Sequence, residues 1–285
     1  MTAIGERSRA ARGGSRLDVK ALVVFFALSY ALSWSWVIPL AAAHLVVRRG
    51  VGWPTHLPAL LGPAIAAVVV TAWTMGRPGV RDLLARLARW RVPLRWWLVA
   101  ASPVAFLGLA LAAMAAAGQA PPEVAGFGRF SGIPAMSLAG VLLLIFVGAL
   151  GEETGWRGYA LPQLQRRFSP LASSLILAGL WFGWHLPQFL VIATYRDFGP
   201  VQYLGMFLGL ACGAVVLTWL YNRSGGSILL VAVWHGLYNV VAATQASTGM
   251  LAAVISTLIM IQGIVLIIAD LRARRRGQPS VLGPA

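Results

Sequence analysis

The sequence predicts an all-α, polytopic membrane protein of about eight transmembrane helices with both termini cytoplasmic. Three observations carry this. The 285 residues are 59% hydrophobic and 11% charged, with mean hydropathy +0.76, where a soluble domain carries about 25% charged residues. Eight stretches approach the roughly 20 apolar residues that a span needs: 21–47, 57–75, 95–118, 135–162, 170–192, 201–221, 227–246 and 250–270. The basic residues alternate in density between the segments that join them.

That alternation sets orientation. With the N-terminus inside, 19 of the 23 basic residues fall on or beside cytoplasmic segments. Only Arg48, Arg49, Arg129 and Arg196 fall outside. Such a bias is the positive-inside pattern, and losing or adding one span would scramble it. It also explains the net charge of +15 without a nucleic-acid partner.

The N-terminal basic region, Arg7 to Lys20, precedes an apolar run to Val47. The run exceeds the 7–15 residues of a signal-peptide core, so it is read as a retained first helix. Pro39 predicts a kink or an ending there. Between the second and third spans, Val80, Leu83, Leu84 and Leu87 recur at helical spacing with arginines opposite. They predict a helix on the cytoplasmic surface. Residues 119–133, with Pro121, Pro122 and several glycines, read as an external loop. The expected organisation is a basic cytoplasmic tail (1–20), a transmembrane domain (21–270) and a second basic cytoplasmic tail (271–285). There is no internal repeat.

Arginine outnumbers lysine 22 to 1, which points to a GC-rich, bacterial genome and hence to the bacterial inner membrane. The lone Cys212, in an apolar stretch, permits no disulfide framework.

Ionisable groups inside a membrane are costly and mark function by default. Glu152 and Glu153 follow the apolar stretch 135–150, and Tyr159, Leu161 and Leu164 continue its apolar face beyond them. The glutamates therefore fall within the fourth span. The fifth span carries Trp181, Trp184 and His185, and the seventh carries His235 and Asn239. Glu152 lies 17 residues before Ser169 and His185 lies 16 after it, so a hairpin turning there sets them at similar depth. His235 and Asn239, four apart, share one helical face. Glu153 and Arg157, also four apart, can form an ion pair, which lowers the cost of either charge. His44 and His56 flank the external interface and read as structural. Most of the 12 tryptophans read as interfacial anchors, with Trp181 and Trp184 as walls of a site.

If the fourth, fifth and seventh spans are neighbours, this set suits hydrolysis. A carboxylate beside a histidine can deprotonate a water. A second histidine with an amide four residues on offers donors to an oxyanion. Alternatively Glu152, His185 and His235 could hold a zinc ion with an open water position. Residue types alone do not separate the two.

Glu152-Glu153-x-x-x-Arg157, an aromatic four residues before His185, and His235-x-x-x-Asn239 resemble the three motifs of the CPBP family. These are the CAAX-prenyl-protease-like and abortive-infection (Abi) membrane proteins, including the type II CAAX prenyl endopeptidases. The resemblance spans about 135–245. It implies a multi-pass intramembrane endopeptidase, a hydrolase, with a site open to the cytoplasm. It implies that Glu152 and His185 activate water, that His235 and Asn239 stabilise the oxyanion, and that Glu153 and Arg157 support the site. It favours a mechanism needing no cofactor over one using zinc. The second motif usually begins with Phe; here Trp181 stands in that place. The implied partners are the bilayer and a membrane-associated protein or peptide, lipidated or not. The alternatives are a non-catalytic scaffold or bacteriocin-immunity protein of the same family, and a proton-relaying transporter, which would show paired broken helices.

Overall fold

The computed structural model describes residues 17–284. The predicted N-terminal tail, 1–20, lies almost wholly outside the described residues. The helices are α1 (Val19–Ala42), α2 (Gly62–Leu87), α3 (Leu94–Ala100), α4 (Ser102–Ala116), α5 (Leu138–Gly155), α6 (Pro170–Trp184), α7 (Pro200–Arg223), α8 (Ile228–Ala243) and α9 (Gly249–Arg275). Among the described residues the connections hold short helical pieces, turns and two isolated backbone bridges, the longest being 43–61 and 117–137.

Polar side chains start the helices. Asp18, Ser137, Ser169 and Ser227 each accept a hydrogen bond from the backbone N–H three residues on, satisfying a donor that the first turn leaves free. Ser137 thus begins α5 three residues later than the apolar run does.

Five helical segments are long and apolar enough to cross a bilayer: α1, 57–87, 138–165, α7 and α9. The predicted third span is a bent pair, α3 and α4, meeting at 49° at Ala101, just before Pro103, whose ring cannot continue a straight ladder. The remaining two predicted spans are shorter helices, α6 and α8. The fifth span differs most from expectation. Pro187 stops the helix early, so α6 ends at Trp184 and His185 is its C-cap. At about 1.5 Å per residue, α6 and α8 are too short to cross a 30 Å hydrocarbon core.

The predicted surface helix is continuous with the second span except at Gly76, whose φ of 61° breaks the direction. Beyond that kink Leu83 is buried and Val80 and Leu87 are half-buried, while Leu84, which the spacing sets on the same apolar face, is exposed. At the other terminus the C-terminal stretch is not a free tail. The helix α9 continues to Arg275, and the chain then folds back so that Leu282 is buried and its carbonyl accepts from Asn222 Nδ2 at 2.7 Å.

The bundle has two unlike ends. At one, basic side chains tie the helices together: Arg86 donates to Gly158 O and Tyr221 Oη, Arg89 to Gly225 O, and Ser227 Oγ to Arg89 O. At the other, the connecting segments pair through their backbones. Val47 N–H donates to Val191 O, Gly50 N–H to Phe130 O, Gly132 N–H to Arg48 O, and Gln245 N–H to Arg129 O. These bonds satisfy main-chain groups that would otherwise be orphaned away from water.

Candidate active site

The site is built around α5, and three glycines bring α5 against its neighbour. Gly148, Gly151 and Gly155 face Leu60 and Pro63. A Cβ on Gly151 would stand 2.5 Å from Leu60 O, and one on Gly155 would collide with Pro63. Small residues at this spacing permit backbone approach where side chains would hold helices apart. The sequence carried this signal, one glycine per turn, beside the glutamates.

Directly after the glutamates the helix widens into one π-helical turn, Trp156–Ala160, in which Leu161 N–H reaches back to Trp156 O. Such bulges are rare and recur at functional sites. The turn continues into Leu161–Gln165. The predicted helix through the glutamates is therefore present, with a wider pitch after them.

Glu152, Glu153, Arg157 and His235 are all at most 5% exposed. Arg157 donates to Glu153 Oε1 at 2.9 Å, the predicted i, i+4 pair. His235 Nδ1 lies 2.9 Å from that same oxygen. A carboxylate oxygen can only accept, so Nδ1 carries the proton. Glu153 thus joins α5 to α8 and orients the His235 ring.

Glu152 is held differently. Its Oε2 accepts from the indole N–H of Trp181 at 2.8 Å, and its Oε1 has no hydrogen-bond partner among the described residues. The Trp181 ring lies 5.4 Å from His235, edge to face, and the Arg157 guanidinium sits 4.5 Å over it. Trp181 thus contacts Glu152, Arg157 and His235 directly. The sequence reading made it a wall; the structure makes it the hub.

His185 stands one turn beyond. It does not bond Glu152; its Nδ1 lies 2.8 Å from Trp181 O. A carbonyl accepts, so Nδ1 carries the proton and the neutral ring leaves Nε2 with a free lone pair. The hairpin argument predicted equal depths for Glu152 and His185. The level partner of Glu152 is instead Trp181, and His185 follows at the helix end. Trp184 is fully buried, with its ring 4.9 Å from His185. Asn239 is half-buried on the His235 face of α8. The structure therefore brings the fourth, fifth and seventh predicted spans together.

Among the described residues, no three His, Cys, Asp or Glu side chains are grouped to hold one metal ion. Both imidazoles donate from Nδ1, which leaves each Nε2 lone pair free, and Glu152 keeps Oε1 free, an orientation that suits a bound water or a metal ion alike.

His44 is exposed, in the left-handed region at φ 54°. His56 is not at a water-exposed interface; it is 4% exposed, its ring is 6.3 Å from Phe130 and its Nδ1 has no hydrogen-bond partner among the described residues. No sequence pattern marked it, because its burial comes from segments distant in the chain.

Two comparisons meet this geometry. Residues 134–241 match the family described as type II CAAX prenyl endopeptidase Rce1-like, a range holding all six polar residues of the cluster. The chain is also 28% identical over 222 residues to CAAX prenyl protease 2 of Methanococcus maripaludis, covering 72% of this chain and 80% of that protein. With the glutamate, histidine and asparagine motifs on neighbouring helices, residues 134–241 are similar to the Rce1-like family of type II CAAX prenyl endopeptidases, and the chain is a multi-pass membrane protease.

Proposed function

We propose that the chain is an intramembrane endopeptidase of the bacterial cytoplasmic membrane that hydrolyses a peptide bond in a membrane-associated protein or peptide. One observation carries the reading. A carboxylate buried at helix mid-length, Glu152, is fixed through one oxygen by Trp181 and keeps the other without a protein partner, with two histidines alongside.

In this reading a water is held between Glu152 Oε1 and His185 Nε2. Glu152 takes one of its protons as the oxygen attacks the scissile carbonyl carbon. The carbonyl oxygen becomes an oxyanion, met by His235 and Asn239. For His235 to donate from Nε2 it must carry both ring protons, and Glu153 at its Nδ1 stabilises that form. The tetrahedral intermediate then collapses, the C–N bond breaks, and the proton held by Glu152 passes to the leaving amine. No step requires a metal ion. The archaeal relative is named for prenylated CAAX substrates; for this chain the proposed substrate is a membrane-associated polypeptide, lipidated or not.

The test is the Glu152→Gln variant, purified and assayed on the substrate found by comparing membrane proteomes with and without the protein. The variant should fold and lose cleavage by about 10²–10⁴-fold, the usual worth of a general base. Full activity in that variant overturns the assignment. Unchanged cleavage by the wild type in the presence of chelator supports the metal-free route, and stoichiometric zinc needed for activity overturns it.

A further inference from the structure

A cavity of about 580 Å³ lies at the basic end of the bundle, apart from the glutamate and histidine cluster. Its volume falls within the roughly 300–1,000 Å³ of small-molecule sites. It sits between α2, the π-helical turn with the short helix that follows it, and the end of α7. None of Glu152, Glu153, His185, His235 or Asn239 lines it.

The lining follows α2 from Thr71 and Met75, within the apolar span, to Asp82 and Arg86 beyond the Gly76 kink. Met75 is exposed, and Val68, Val69 and Ile65 continue an exposed apolar surface on the preceding turns. Trp73, also exposed, has the Lys20 ammonium 5.8 Å over its ring. An exposed tryptophan beside a lysine marks the level of a membrane interface. The cavity therefore straddles the level at which apolar surface gives way to polar surface.

Its polar groups describe a ligand. Tyr159 and Gln163 are 4% and 8% exposed, yet the Tyr159 hydroxyl and Gln163 Oε1 have no hydrogen-bond partner among the described residues, and neither has Gln165 Nε2. Buried polar groups are normally paired, so each orphan needs an explanation. The phenol hydroxyl and the Gln165 amide can donate, and Gln163 Oε1 accepts. Two arginines, Arg86 and Arg166, line the same space against one carboxylate, Asp82, which pairs with Arg86 at 2.9 Å. Arg166 has no acidic partner among the described residues, so one positive charge is left over. Arg86 is held in place by donating to Gly158 O and Tyr221 Oη.

We infer that this cavity holds the headgroup of an anionic glycerophospholipid. The phosphodiester, with its single negative charge, lies between Arg86 and Arg166 and accepts from Tyr159 and Gln165. A headgroup hydroxyl donates to Gln163 Oε1, and the acyl chains run along Met75 and the exposed apolar surface of α2. Basic pockets between membrane helices bind anionic headgroups in this way, and arginine suits phosphate geometry. A zwitterionic lipid would leave the surplus charge unneutralised. A soluble phosphate ester would satisfy the polar groups and leave the apolar flank uncovered. The inference stands on charge, burial and geometry, independently of the chemistry at Glu152.

The test counts lipid bound to the purified full chain in detergent by native mass spectrometry, titrating phosphatidylglycerol, phosphatidylcholine and glycerol 3-phosphate in parallel. The wild type should retain one phosphatidylglycerol and bind phosphatidylcholine about fivefold more weakly, the worth of one charge near a membrane surface. Tyr159→Phe removes only the orphaned hydroxyl. Without added lipid its unfolding temperature should be no lower than that of the wild type, and its affinity for phosphatidylglycerol should fall about tenfold, as for a hydrogen bond to a charged group. Arg166→Gln, at an exposed position, should weaken binding about fivefold. Arg272→Gln, exposed at the same end and outside the cavity, should bind as the wild type does. Equal affinity for the two lipids, or wild-type affinity in either Tyr159→Phe or Arg166→Gln, overturns the site. So does an Arg272→Gln loss as large as that of Arg166→Gln, which would reduce the effect to general surface charge. Glycerol 3-phosphate binding as tightly as phosphatidylglycerol overturns the lipid and assigns a soluble phosphate ester in its place.

Discussion

The indole N–H of Trp181 donates to Glu152 Oε2 across 2.8 Å, joining α6 to α5 at the carboxylate read as the general base. The bond fixes which carboxylate oxygen is left for water. Trp181→Phe keeps the aromatic wall and removes only the donor. The expected result is a fall in kcat of about tenfold, the effect of one modest catalytic hydrogen bond of roughly 1–1.5 kcal/mol, with KM little changed. A substrate-titration series on the purified variant checks this; a change confined to KM would reassign Trp181 to substrate contact.

Glu153, Arg157 and His235 form a buried charge cluster in which each partner compensates another. Arg157→Ala leaves Glu153 buried against a smaller positive environment. Breaking such a pair costs about 3–5 kcal/mol, so thermal unfolding in detergent should move to a distinctly lower temperature. The double change Glu153→Gln with Arg157→Met should recover most of that stability without recovering activity, because His235 then lacks its carboxylate.

His235 and Asn239 share one face of α8 and are read as donors to the oxyanion. Removing one such donor typically costs about 10²–10³ in kcat. Asn239→Ala should therefore lower kcat by that order and leave KM nearly unchanged, in a protein with the wild-type unfolding temperature. Steady-state kinetics beside a thermal melt separates this from misfolding.

Gly155 meets Pro63 with no space for a side chain. Gly155→Ala should force α5 and the start of α2 apart, at a cost of about 1–3 kcal/mol for overpacking. Activity should fall with stability, since the glutamates ride on the same helix. Gly179, where a Cβ would meet nothing within 4 Å, is the matched control, and Gly179→Ala should leave both unchanged.

Much of this protein is written locally. Apolar runs are properties of short windows, so an all-helical chain with several membrane-spanning helices was legible. The Glu153–Arg157 pair was legible because a helix always brings i and i+4 together. The convergence of Glu152, His185, His235 and Asn239 came from motif resemblance and a depth count, and the depth count was off by one turn. Its error has a physical cause: residues 166–169 turn instead of continuing the helix, and the wider π-helical turn after Glu153 has less rise, so the Glu152 arm is shorter than counted.

The sequence alone determined the class of protein, its helices and the identity of its polar residues, because hydropathy and helical periodicity act over neighbours in the chain. Tertiary structure decided which residue Glu152 bonds and why His56 is buried. Those outcomes depend on contacts between segments far apart in sequence. Glycines at 148, 151 and 155 set how closely two helices approach, and no local pattern says which helix will be there.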